Sequence, residues 1–263
     1  ELGNVEEIRQ AFLDENPAAM TINVNSNSDT VGNSDIYNRF YPGIQRVNAQ
    51  LTDADIEIKK SSTNDVELSV TGGLADDMEA LKETLRVSAS VGTLSIQQEK
   101  KAGISVSYAA SRLFGLKVGK YSAGIVIHIA VPEQFEKIEV KSISGDIKAN
   151  NSNAKTLLIH TGSGDVGVED CQADELFASS ISGDVNVIAC KADKMDIVSV
   201  SGDIKVEFDK SAQCRAKSTS GDCKVTIGNQ VDAVVSSTSG DVSVRYIGEI
   251  GLEMALSSTS GDV

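Results

Sequence analysis

One tripeptide recurs at a spacing that could build a metal site. Ser-Gly-Asp stands at 144–146, 163–165, 182–184, 201–203, 220–222, 239–241 and 260–262, with five intervals of 19 residues and a last one of 21. If equivalent residues stack, the aspartates form a column of carboxylates that repel one another and that calcium would neutralise. Calcium-binding nonapeptide repeats need the richer pattern G-G-x-G-x-D, whereas each corner here offers one Asp. We therefore expect no cofactor and keep calcium as the alternative.

The same tripeptide is typical of a sharp corner in the chain. Glycine adopts φ > 0 without steric penalty, and Asp and Ser side chains hydrogen-bond to nearby backbone groups. A structural role is therefore the favoured interpretation. The predicted turn residues are Gly145, Asp146, Gly164, Asp165, Gly183, Asp184, Gly202, Asp203, Gly221, Asp222, Gly240 and Asp241.

The segment 99–121 interleaves basic and aromatic residues in an otherwise acidic chain. Aromatic and arginine side chains are favoured at contact hot spots. The predicted ligand-contact residues are Tyr108, Arg112, Phe114, Lys117 and Tyr121. The alternative is a solvated loop whose aromatic rings pack on the rest of the fold.

The cysteines and histidines do not form a recognisable reactive motif. Cys171, Cys190, Cys214 and Cys223 include no C-x-x-C pair, which disfavours a zinc or thioredoxin-like site. Cys171 and Cys190 are 19 residues apart, so we expect them to stack as buried free thiols, with a disulfide as the alternative. His128 and His160 are expected on outward strand positions. No G-x-S-x-G, H-E-x-x-H or Walker pattern is present, and we predict neither a catalytic residue nor a metal site.

The residues between the corners alternate with period two, which indicates half-buried strands. One strand places apolar residues two and four positions after each glycine, as in Ile204 and Val206. A second strand has inward columns that begin at Leu157 and Ile159 and end in the serine column Ser180, Ser199, Ser218 and Ser237. Two such short strands bury their inner faces only if coils stack at about 4.8 Å. The predicted fold class is therefore all-β, a single-stranded parallel β-helix (β-solenoid) with 19-residue coils.

The chain before the regular repeat is expected to form less regular coils. Strands are predicted at 47–51, 54–59, 65–71, 85–91 and 93–98, and a first coil at 122–144. Helical spacing of apolar residues predicts helices at 74–85 and at 4–14, the latter as a cap on the solenoid. The stretch 25–46 is rich in Asn, Ser, Asp and Gly, with Tyr37, Phe40 and Tyr41 near its end, and is predicted to be an irregular linker that docks through these aromatic residues. We therefore predict an N-terminal helix with an irregular cap at 1–44 and a solenoid at 45–263, with regular coils at 144–263.

Composition excludes several functional classes. A net charge of −14 disfavours nucleic acid as a partner. Aromatic residues make up only 4% and Trp is absent, which fits a narrow core of small aliphatic side chains. No run of about 18 apolar residues predicts a membrane span. The chain starts at Glu1, which is consistent with a trimmed chain or with a mature chain whose export signal has been removed.

The chain resembles the bacterial putative adhesin family, adhesin-like β-helix proteins whose domain has no established function. The resemblance rests on the strand Ile127-His-Ile-Ala-Val-Pro132, the strand Ile138-Glu-Val140 and the Ser-Gly-Asp repeats, with Ala54-Asp-Ile-Glu-Ile58 and Gly92-Thr-Leu-Ser-Ile96 in front. It covers roughly residues 45–263. It implies a right-handed β-helix, export, and an extracellular or cell-surface location.

These observations together predict a non-enzymatic exported bacterial surface protein that binds a surface glycan or a protein. Binding would use the 99–121 loop or a solenoid face. On that face Leu158, Phe177, Val198 and Val234 form a partly apolar outward stripe that either binds a partner or packs against the N-terminal helix. The alternatives are a carbohydrate-active enzyme on the same scaffold and a purely structural or assembly module. The chain stops within a repeat, at 260–263, so either further residues follow or another chain covers the open end. Self-association through open solenoid ends is one form of the second alternative.

Overall fold

The computed structural model describes residues 37–72, 84–98, 125–208, 211–228, 232–247 and 254–263. The chain divides into the units Glu1–Thr30 and Val31–Val263, and all described residues belong to the second. Within these ranges the protein is all β, and Thr84 is their single helical residue. The predicted helix 4–14, the 99–121 loop and most of the predicted helix 74–85 lie outside the described residues. Leu85, the last residue of that second helix prediction, instead begins a strand.

Twenty described strands form two ten-stranded sheets. Sheet I contains, in spatial order, β1 (Tyr37–Tyr41), β4 (Val66–Gly72), β7 (Ile125–Val131), β3 (Asp55–Lys60), β9 (Ile147–Asn150), β11 (Val166–Glu169), β13 (Val185–Ile188), β15 (Ile204–Phe208), β17 (Cys223–Ile227) and β19 (Val242–Tyr246). Sheet II contains β20 (Met254–Ser258), β18 (Asp232–Ser237), β16 (Ser211–Lys217), β14 (Lys191–Ser199), β12 (Gln172–Ser180), β10 (Asn153–Thr161), β8 (Phe135–Ser142), β2 (Arg46–Leu51), β6 (Thr93–Gln98) and β5 (Leu85–Ser90). Each regular coil contributes one strand to sheet I and one strand to sheet II.

The regular coils stack in parallel and in register. Leu157 pairs with Leu176, which pairs with Met195, and each partner is 19 residues further along the chain. Sheet I keeps the same offset, as between Val166 and Val185. The parallel β-solenoid predicted from the repeat is therefore confirmed, while its right-handed winding stays a prediction.

The core consists of the inward columns that the alternation predicted. Aliphatic residues such as Ile147, Val168, Ile159 and Ile197 are fully buried between the two sheets. Their volume matches the space inside a narrow coil, where each side chain packs on its equivalent above and below. This packing explains how the chain folds with so few aromatic residues.

The front of the solenoid, expected as less regular coils, contains strands out of chain order and antiparallel pairs. Strand β3 lies between β7 and β9, and β2 lies between β8 and β6, so the coil containing them is inserted out of chain order. The pairs β1–β4, β4–β7 and β5–β6 are antiparallel. Strands β5 and β6 are joined by the two residues Val91 and Gly92, and so short a turn permits only antiparallel pairing.

Two further features were not predicted. Tyr37–Tyr41, expected as the aromatic end of an irregular linker, is instead strand β1 and pairs with β4. Aromatic residues favour strands. The corner opposite Ser-Gly-Asp uses Asn151, Asp170 and Ala189, all with φ between 49° and 54°. Asn and Asp tolerate this left-handed conformation better than most residues.

Candidate functional site

The Ser-Gly-Asp corners are joined by their carboxylates. Oδ1 of Asp146 accepts a hydrogen bond from the backbone N–H of Asp165 at 2.9 Å, and Oδ1 of Asp165 accepts one from Asp184 at 2.9 Å. The same bond continues through Asp203, Asp222, Asp241 and Asp262. Asp55 in the inserted coil begins the series by accepting the N–H of Asp146. We call this column the aspartate ladder; it links each coil to the next.

The glycines of the corners are needed for close approach. A Cβ on Gly183 would lie 2.0 Å from the carbonyl oxygen of Gly164, and one on Gly202 would lie 2.0 Å from that of Gly183. Among the described residues, the glycines with positive φ are Gly43, Gly72 and Gly92, none of which belongs to a Ser-Gly-Asp corner. The expectation that these glycines serve by adopting φ > 0 is therefore wrong, because stacking of backbone on backbone is what excludes a side chain.

A buried hydroxyl from the preceding strand completes each corner. Oγ of Ser199 donates to the carbonyl oxygen of Gly183 at 3.0 Å and accepts the N–H of Gly202 at 2.9 Å. Thr161, Ser180 and Ser218 make the same pair of bonds. The serine column was visible in the sequence, but its function was not, because a period-two pattern does not show which backbone groups a hydroxyl meets.

This geometry offers little to a cation. One oxygen of each ladder carboxylate already accepts an amide hydrogen, and calcium requires six to eight oxygen ligands. In the part of the chain that the structure describes, no group of three or more His, Cys, Asp or Glu residues is arranged to hold a metal ion. The contacts that the corners make are hydrogen bonds from one coil to the next.

The outward face of sheet II carries the predicted apolar stripe in altered form. Leu158 lies beside Phe177, but the next residues in that column are Asp196 and Arg215, which form an ion pair before Val234 is reached. The stripe is thus interrupted by charge. Phe177 and Leu158 remain adjacent as a half-buried apolar pair.

Val198 lies in the neighbouring column rather than in the stripe. That column runs from His160 through Ser179 to Val198. Nδ1 of His160 is 2.6 Å from Oγ of Ser179. Burial, reinforced by the positive charge of Lys141, lowers the pKa of His160, so that the ring favours its neutral form. We call Leu158, Phe177, His160, Ser179 and Val198 the Phe177 patch.

Fixed charges border the Phe177 patch. Glu139, next to Leu158 in register, binds Lys137 at 2.7 Å and Lys141 at 3.2 Å. Burial alone would raise the pKa of Glu139, but the two lysines hold it below its usual value. The patch therefore combines an apolar centre, a hydroxyl–imidazole pair and ordered charges on a rigid sheet.

His128 has a different environment on sheet I. Its Nδ1 lies 3.0 Å from Oε2 of Glu57, and its Nε2 lies 2.9 Å from Oγ1 of Thr71. The sequence predicted an outward histidine without partners of interest, because Glu57, Thr71 and His128 are far apart in the chain.

The cysteines are free and buried, as expected. Cys171 and Cys190 share a thiol–thiol hydrogen bond that lowers the pKa of Cys171 and raises that of Cys190. Burial raises the pKa of Cys214 to about 12 and of Cys223 to about 11. Thiols held in this way are poor nucleophiles at neutral pH, apart from Cys171, which is itself only 2% exposed.

The predicted contact residues Tyr108, Arg112, Phe114, Lys117 and Tyr121 lie outside the described residues, so their role stays a prediction. Within the described ranges, none of the helical structure has the length and apolar character needed to cross a bilayer.

Comparison with known proteins finds a family model and several solved structures that match the chain. The family model described as Toastrack DUF4097 matches residues 44–263. A putative adhesin from Bacteroides fragilis is 18% identical with a TM-score of 0.43, and the match covers 86% of this chain and 96% of that one. A putative lipid binding protein from Parabacteroides distasonis is 18% identical with a TM-score of 0.46 over the same shares. A putative adhesin from Parabacteroides merdae is 14% identical, with a TM-score of 0.42 and coverage of 86% and 95%. No curated protein matches the chain.

Proposed function

The chain belongs to the Toastrack DUF4097 family, and on that premise we propose that it is a non-enzymatic surface protein whose solenoid presents the Phe177 patch to a glycan or protein partner. The repeat supplies rigidity, because every coil is fixed to the next by the aspartate ladder and by buried hydroxyls. A rigid sheet loses little conformational entropy when a ligand binds. Function is therefore expected on the outward columns, where residues are free to differ from coil to coil.

The observation that carries this proposal is the composition of the Phe177 patch. Phe177 and Leu158 supply an apolar surface beside the His160–Ser179 pair, and an aromatic ring next to hydrogen-bonding groups suits either a sugar face or a protein hot spot. The Asp196–Arg215 pair and the Lys137–Glu139–Lys141 group give the rim fixed charges of both signs. Such a rim favours selection of one partner over a general attraction to charge.

The proposal includes an extracellular or cell-surface location after removal of an export signal. Exposure of the folded protein to externally added protease or antibody on intact cells tests it. We also propose that the 99–121 loop is a second contact and that residues 1–44 form a separate cap. The winding of the solenoid is proposed to be right-handed. Deletion of 99–121 with measurement of the same binding tests the loop separately from the patch.

The experiment is a glycan array and a cell-binding assay with labelled protein. The double variant Leu158→Ser, Phe177→Ser is compared with Ile188→Ser, which removes an outward apolar side chain from the opposite sheet. We expect the double variant to lose at least about tenfold in affinity, as for a hot-spot residue, and Ile188→Ser to bind like the parent. Equal binding by all three proteins would contradict the proposal.

A reducing-sugar assay run on the bound glycans separates binding from catalysis. Release of sugar ends would favour the carbohydrate-active enzyme that the sequence left open. We also propose self-association, which would support the alternative of a structural or assembly module. Light scattering over a range of protein concentrations tests it.

A further inference from the structure

Three adjacent strands bring together a carboxylate, an imidazole and a hydroxyl on the outward face of sheet I. Glu57 on β3 lies directly opposite His128 on β7, and Thr71 on β4 lies diagonally across from it, since Thr71 pairs with Val126. The Glu57 carboxylate is 3.0 Å from Nδ1 of His128, and the Thr71 hydroxyl is 2.9 Å from Nε2. The site exists only because β7 pairs in parallel with β3 and in antiparallel fashion with β4.

The two contacts define the proton positions in the neutral ring. A carboxylate accepts hydrogen bonds and donates none, so Nδ1 must carry the proton that faces Glu57. Nε2 then bears the lone pair and accepts the proton of the Thr71 hydroxyl. This is the connectivity by which a histidine acts as general base toward an alcohol while a carboxylate orients the ring.

The solenoid does not require this arrangement. The regular coils hold equivalent outward positions with unrelated residues, such as Lys148 and Gly167 in the column of Glu57. His160, the other histidine, contacts its hydroxyl through Nδ1 rather than through Nε2. The side chains remain open to reagents, since Glu57 is 50% and His128 is 21% exposed.

We propose that Thr71 is a nucleophilic acyl-acceptor site, with His128 as its general base and Glu57 as the residue that positions the imidazole. The substrate class is a small activated ester able to approach a flat sheet. Thr71 Oγ1 attacks the carbonyl carbon while its proton passes to Nε2 of His128. The ester C–O bond then breaks, the leaving alcohol takes the proton from His128, and an acyl-threonine remains.

The test uses p-nitrophenyl acetate and, separately, a fluorophosphonate probe with the full chain. Because both reagents have good leaving groups, labelling reports mainly on activation of the nucleophile. Digestion and mass spectrometry locate the label. The variants are Thr71→Val, Thr71→Ser, His128→Gln, Glu57→Gln and Glu57→Asp. Lys224→Gln, which changes an exposed outward residue of the same sheet, is the control, and circular dichroism checks that each variant folds.

We expect labelling at position 71 to be lost in Thr71→Val, which has no hydroxyl, and to fall at least about a hundredfold in His128→Gln, the lower range for loss of a general base. Thr71→Ser retains labelling, Glu57→Asp retains more of it than Glu57→Gln, and Lys224→Gln behaves as the parent. The proposal would be overturned if Thr71 were labelled at the parent's rate in His128→Gln or in the heat-unfolded chain. Absence of labelling at Thr71 in the folded parent would also overturn it.

Discussion

Oδ1 of Asp184 accepts the backbone N–H of Asp203 at 2.8 Å, across the boundary between two coils. This contact explains why Asp recurs at each corner: the carboxylate satisfies an amide that the corner would otherwise leave to solvent. It also accounts for part of the −14 net charge as a by-product of how the coils are joined.

Replacement of Asp184 by Ala removes the acceptor for Asp203. Since the corner is exposed, water replaces part of the lost bond, and we expect a loss of about 1 kcal/mol in the free energy of unfolding. Asp184→Asn keeps an oxygen in place and should retain most of the stability. Urea unfolding measures both, with Asp193→Ala, on the exposed surface of β14, as control. Equal midpoints for Asp184→Ala and Asp193→Ala would contradict this role.

A methyl group at Gly202 has no space. Its Cβ would lie 2.0 Å from the carbonyl oxygen of Gly183, whereas a Cβ on Gly167 would meet its nearest neighbour, Cγ of Lys148, at 3.8 Å. We expect Gly202→Ala to destabilise the protein by about 3 kcal/mol or more because the stacked backbones must separate. Gly167→Ala should be tolerated. Thermal unfolding measures both variants. Similar melting temperatures would contradict the claim that the corner glycine is needed for close approach.

The buried hydroxyl of Ser199 satisfies two backbone groups at once. Ser199→Ala leaves both without a partner, and we expect a cost of about 2–4 kcal/mol. Ser199→Thr should cost little, because Thr161 makes the same two bonds in its own coil. Chemical denaturation of the pair measures the difference; a tolerated Ala variant would show that the hydroxyls do not hold the corners.

The regular coils could be predicted from the sequence, but their front end could not. Alternating apolar residues such as Ile204 and Val206 predict the strands, and the fixed 19-residue repeat predicts their register. Both patterns can be recognised without knowing which distant strands pair. The position of β3 depends on which distant strand it pairs with. One signal was available: Ala54-Asp55-Ile56 echoes Gly145-Asp146-Ile147, and Asp55 is in fact the first member of the aspartate ladder.

The candidate sites were less predictable still. Phe177 and Leu158 were recognised as outward neighbours from the 19-residue spacing. The Glu57–His128–Thr71 group was not, because it forms only where antiparallel and parallel pairing meet on β7. No spacing rule relates those three residues in the chain.

His160 should make stability depend on pH. Its pKa is lowered in the folded protein by burial and then by Lys141, so the unfolded chain binds the proton more tightly. The contribution of His160 to the free energy of unfolding is therefore fully present above the ordinary histidine pKa of about 6.5. It is lost progressively as the pH drops below that value. Unfolding midpoints between about pH 7 and 5 should decline less in His160→Gln. An NMR titration in which His160 protonates above its ordinary pKa would refute the assignment.

The turn between β5 and β6 contains a residue with a strained backbone conformation, Val91, which can be replaced. Val91 has φ 47° and is 93% exposed, and Gly92 follows with φ 72°. A β-branched residue is poorly suited to this conformation, which Asn adopts readily. We expect Val91→Asn to stabilise the protein by about 1 kcal/mol, measured by urea unfolding. A destabilised variant would mean that the Val91 side chain makes contacts that outweigh the strain.

The claim that the corners are structural links is tested most directly by the melting temperature of one variant. In that variant Asn replaces Asp146, Asp165, Asp184, Asp203, Asp222 and Asp241. Melting temperatures of this variant and of the parent are recorded with EDTA and with millimolar calcium. The account predicts that the variant folds, since each Asn oxygen still accepts the next amide, and that calcium shifts neither protein. A parent that melts at higher temperature with calcium, beside a variant that does not respond, would contradict it.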